Sequence, residues 1–118
     1  MDEKQLDVLV RRFYAVADLA HISHVNTRSF AAHEALGEFY SAINSHKDRL
    51  IEYCMGEGRL MKVTANILEI GSDISVEATN LKNMYCGYAK TTMDEALLNM
   101  SGEFEESVSK LKYLLMFS

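Results

Sequence analysis

Two histidines and two carboxylates have the spacing that most suggests chemistry in this 118-residue chain. His24 and His33 flank the polar run Asn26-Thr27-Arg28-Ser29, and Asp48 and Glu52 follow, four residues apart. Histidine pairs suit divalent iron or zinc, and carboxylates add hard oxygen ligands. A four-residue step puts both acids on one helical face. His33 and Asp48 are fifteen residues apart, which is roughly 22 Å along a straight helix rising about 1.5 Å per residue, too far to share an ion. Fifteen steps of about 100° still leave them only about 60° apart around the axis. Each chain therefore offers two half-sites. A second copy packed antiparallel along the same helix would complete both, since a two-fold interface makes every contact twice.

The elements that must hold these residues are helical. Leu6, Leu9, Val10, Phe13, Val16, Ala17 and Ala20 recur at spacings of three and four and line one face of a first helix. The polar run at 26–29 breaks that pattern, and Thr27 or Ser29 can cap a second helix from about Phe30 to Met55, ended by Gly56 and Gly58. Its expected buried face is Ala32, Leu36, Phe39, Ile43, Leu50, Ile51 and Cys54. Residues 59–70 read equally well as a short helix or an extended connection. A third helix starts near Ser72 and buries Ile74, Ala78, Leu81, Tyr85 and Tyr88. Thr92 and Glu95 have the spacing of a capping box, opening a fourth helix with Leu97, Phe104, Val108, Leu111 and Leu115 inside. The expectation is an all-α, antiparallel four-helix bundle in one domain spanning residues 1–118.

Composition narrows the function. Hydrophobic residues make up 48% and charged residues 25%, which suits a globular chain. The longest apolar runs fall far short of the roughly 20 residues a spanning helix needs, so no membrane partner is expected. A net charge of −5, with no Lys/Arg cluster, disfavours nucleic acid. Met1-Asp2-Glu3-Lys4 lacks the basic start of a signal peptide, which predicts a cytoplasmic protein. Cys54 and Cys86 lie in apolar helical patterns and read as reduced, buried thiols. The seven methionines read as core filler. No nucleophile–base arrangement and no phosphate-binding glycine loop occurs.

The stretch His24-Val25-Asn26-Thr27-Arg28-Ser29-Phe30-Ala31-Ala32-His33-Glu34, followed by Phe39-Tyr40, Asp48 and Glu52, resembles the Dps-like mini-ferritins. Within them it is most similar to a small ferritin-like group found in bacteriophages. The resemblance implies a ferritin-like bundle and an iron-oxidising site shared between subunits, with His24, His33, Asp48 and Glu52 at the matching positions. The family's tryptophan after the first histidine is Val25 here, and its acidic residue four positions after the second histidine is Gly37. The hairpin is about three residues shorter, and the family's basic DNA-binding tail is missing. With Gly37 in place of that acid, the expected site holds one metal and lacks a ligand for a second.

Two functions follow as expectations. The first is a homo-oligomer, joined through the second helix, that binds ferrous iron and lets oxygen or peroxide oxidise it in a ferroxidase-type reaction. The alternative is a non-catalytic phage structural or accessory protein on the same scaffold, working in the host cytoplasm or the virion on phage or host proteins. For His24 and His33 the plainer reading is an interfacial pair bonded to carbonyls or carboxylates; for Asp48 and Glu52 it is a solvated helix face. His21 and His46 read as caps or surface residues, Glu34 and Glu38 as surface residues, and Tyr40 as packing that could line a site.

Overall fold

The computed structural model describes residues 2–64, 66 and 68–118. Four helices, α1 (Asp2–Asn26), α2 (Phe30–Gly56), α3 (Ile74–Thr92) and α4 (Glu95–Leu115), form a bundle, with no strand among the described residues. α1 packs against α2 and α3, and α4 packs against the same two, so the helices form a ring in the order α1, α2, α4, α3.

Each boundary has a local cause. Ser29 sits in extended backbone and its hydroxyl accepts the Ala32 N–H at 3.2 Å, capping α2. α2 runs out at Gly56, and Gly58 takes the left-handed conformation just beyond it (φ 73°). Asp73, not Ser72, caps α3, its carboxylate accepting from the N–H groups of Ser75 and Val76. The Thr92–Glu95 capping box does not form. Asp94 caps α4 through the N–H groups of Ala96 and Leu97 at 2.8 and 3.2 Å. Thr92 instead turns its hydroxyl back onto the Ala89 carbonyl as the last residue of α3. At both starts a carboxylate serves two N–H groups and complements the positive helix end, an advantage no hydroxyl has.

The residues between Arg59 and Ile70 that are described form neither helix nor strand, which resolves the open reading of that segment; residues 65 and 67 lie outside the described set. This crossover is fastened at both ends. Leu60 is buried, and Arg59 Nη2 reaches Asp94 at 2.9 Å. At the other end the Gly71 N–H donates to Glu77 Oε2 at 3.2 Å, and Glu77 also pairs with Arg12 of α1. A Cβ on Gly71 would lie 2.9 Å from that carboxylate oxygen, so a side chain there would push the Glu77 carboxylate aside.

The expected apolar faces are the buried ones, except that Ile51 and Leu115 are only partly covered. Phe104 of α4 is the hub, its ring centroid 5.1 Å from Phe13 of α1, 6.3 Å from Phe39 of α2 and 6.0 Å from Tyr85 of α3. One aromatic cluster thus joins all four helices. α2, 27 residues and about 40 Å long, spans nearly the whole 43 Å long axis of the molecule. No described helix is long and apolar enough to cross a membrane.

Candidate metal site at the helical hairpin

The three-residue turn between α1 and α2 brings His24 and His33 face to face. Their rings stack with centroids 3.9 Å apart and planes 21° from parallel. The His24 Nδ1–H donates to the His33 carbonyl at 2.8 Å, and the His33 Nδ1–H donates to the His24 carbonyl at 3.0 Å. A carbonyl can only accept, so each Nδ1 must carry the proton. When the rings are neutral, both Nε2 atoms therefore keep free lone pairs. This is the tautomer in which an imidazole binds a metal while its other nitrogen is held by the backbone.

Gly37 makes the clasp possible. A Cβ there would stand 2.8 Å from His24 Cε1 and 3.2 Å from Nδ1. The glycine is the flat spot on α2 across which the His24 ring lies, and an acidic side chain at 37 would displace it. Further down the same seam His21 stacks on Tyr40 at 4.7 Å, with its ring 6.4 Å from that of His24.

Stacking limits what the pair can hold. A bound metal lies close to the plane of each imidazole that ligates it, about 2.0–2.1 Å from the nitrogen. Two stacked rings whose centroids are 3.9 Å apart and whose planes differ by only 21° have planes that do not meet within that reach, so one ion cannot take both lone pairs in this arrangement. Each Nε2 addresses its own position.

Asp48 and Glu52 are exposed on α2, well down the helix from the clasp. Among the described residues no group of three or more His, Cys, Asp or Glu side chains gathers closely enough to hold a metal. The structure thus brings His24 and His33 together and leaves Asp48 and Glu52 apart from them. Glu34 and Glu38 are exposed, Glu38 pairing with Lys110. Compared with known proteins, the chain matches no family model, no curated protein and no solved structure.

His46 is neither a cap nor a surface residue. It is buried in the α2–α4 seam with Nε2 3.2 Å from the Ser107 hydroxyl and its ring edge-on to Phe104. Burial lowers its pKa from the ordinary value, Arg49 lowers it further, and Glu103 opposes both. Its register between Phe39 and Leu50 is that of a core position, a signal outweighed by its polarity. Cys54 is fully buried and its thiol is pushed up to about 11, chiefly by desolvation, which makes it inert. Cys86 is only partly covered, against the expectation of burial, and its Sγ–H lies 3.7 Å from the Ser101 carbonyl.

Proposed function

We propose that the chain is a Dps-like, iron-binding protein that works as a homo-oligomer, with ferrous iron as the substrate of a ferroxidase-type oxidation. The observation that carries this reading is the reciprocal His24–His33 clasp, which fixes both tautomers and leaves both Nε2 atoms available. Each imidazole would ligate one ion, and Asp48 and Glu52 of an antiparallel partner copy would supply the oxygen ligands and neutralise charge. An antiparallel, ferritin-like arrangement is supported by contacts in which numbers rise along one helix as they fall along its neighbour. Tyr40 meets His21 and Lys47 meets Tyr14 between α1 and α2, and Arg49 meets Glu103 and Tyr53 meets Asp94 between α2 and α4. The long crossover between α2 and α3 suits the same topology.

A second reading has its own support. Stacked rings bonded to carbonyls over a glycine also suit a purely mechanical clasp, as in a non-catalytic phage or host-interacting protein on this scaffold. Titrating ferrous iron into the aerobic protein, with ferric absorbance followed, separates the two. Saturable oxidation that is lost in His33→Ala and Glu52→Ala supports the iron reading. Oxidation no faster than in buffer, or unchanged in both variants, leaves the mechanical one.

A further inference from the structure

The chain contains four glycines within or beside α3 and α4 or in the hairpin seam whose surroundings differ sharply. A Cβ on Gly37 would run into the His24 ring and one on Gly71 would displace the Glu77 carboxylate, but a Cβ on Gly87 or Gly102 would meet nothing within 4 Å. Both lie in helix interiors, α3 and α4 respectively, where glycine is destabilising relative to alanine. Packing within the chain therefore gives no reason for either. The two border one groove of about 340 Å³ between α3 and α4, lined by residues of those helices alone. This side of the bundle lies across from the α1–α2 hairpin that carries the histidines.

Along this groove the α3 edge is basic and the α4 edge acidic. Lys82 pairs with Glu105 at 3.9 Å and Cys86 meets Ser101, which fixes the register of α3 against α4. Continued along both helices, that register puts Lys90 near the height of Glu95. Along the groove α3 carries plus, plus (Lys82, Lys90). At the same heights α4 carries minus, minus (Glu105, Glu95), with Glu106 a further acid beside Gly102.

We infer that the α3–α4 face docks a second copy of this chain, through a two-fold axis parallel to the helices, with Gly87 and Gly102 at the points of closest approach. Such an axis lays α3 of each copy on α4 of the other without changing height, so every charge in those rows meets its opposite, twice over. A two-fold axis across the helices would instead put Lys82 on Lys82 and Glu105 on Glu105 at the centre. The face measures roughly 30 Å by 20 Å for two neighbouring helices of this length, about 600 Å² per copy, near the lower end of specific interfaces. The dimer is therefore weak and concentration-dependent. It is separate from the α2 contact proposed above and does not need it.

Sedimentation velocity on the full chain, from 1 to about 300 µM, tests this in a background carrying Asp48→Lys and Glu52→Lys, which removes the acids of the α2 face. A monomer–dimer equilibrium is expected to persist there. Gly87→Gln with Gly102→Gln should weaken it at least tenfold while the melting temperature of dilute protein holds or rises, because glutamine favours helix. Lys90→Glu should weaken it similarly, and adding Glu95→Lys to the same chain should restore it. A monomer at every concentration overturns the proposal. So does association that ignores the glycine substitutions, or a Lys90→Glu defect that Glu95→Lys does not repair.

Discussion

Gly37 is the residue on which the histidine clasp rests. Gly37→Asp drives Cβ into the His24 ring. The expected result is a loss of about 1–3 kcal/mol in chemical denaturation, with the imidazole signals of His24 and His33 shifted in NMR spectra. His46 gives a second expectation, read from pH. Its pKa is lowered in the folded chain, so the unfolded chain binds the proton first as pH falls. Stability should be unaffected by His46 above about pH 6.5 and should decline as pH drops from there towards the lowered folded value. Denaturation midpoints from pH 8 to 5 for the natural chain and His46→Leu check this, the variant showing the shallower decline. The spacing of His24 and His33 made their meeting legible in the sequence. The role of Gly37 was not, because only the path of a neighbouring ring reveals why a side chain must be missing.

At the scale of elements, the joints decide more than the helices. Met93, between α3 and α4, adopts the left-handed conformation (φ 56°) with its side chain exposed. Met93→Gly is expected to raise stability by about 1 kcal/mol, measured by thermal melts, since glycine takes that backbone without steric cost. Asp94 next to it has three duties: it caps α4, accepts the Tyr53 hydroxyl at 2.7 Å and holds Arg59. The Tyr53 hydrogen bond, the cap and Arg59 together keep its carboxyl below the usual range, against a desolvation that opposes them. Asp94→Ala should lower the melting temperature by several degrees and speed tryptic cleavage after Arg59. The four helices were legible because their apolar positions repeat at three and four. The caps at 73 and 94 were misplaced by one or two residues, since Ser72, Thr92 and the two aspartates are all good capping types. Choosing among them depends on where the crossover and the turn enter.

For the molecule as a whole, the aromatic cluster around Phe104 is the common junction. Phe104→Ala should cost about 3–5 kcal/mol in denaturation and loosen all four helices together, visible as a single cooperative transition at lower denaturant. The bundle as such followed from composition and periodicity. Assembly did not, because an acid that meets a second copy and one that faces only solvent have the same spacing, and only a neighbouring copy distinguishes them.

The crossover has a last consequence. Lys62 is exposed, while Arg59 and Leu60 before it and Gly71 after it are tied to the bundle. A single tryptic nick after Lys62 should therefore leave two hairpin fragments that stay together through gel filtration. Expressed as separate polypeptides, the two pieces should find each other and rebuild the far-ultraviolet spectrum of the uncut chain.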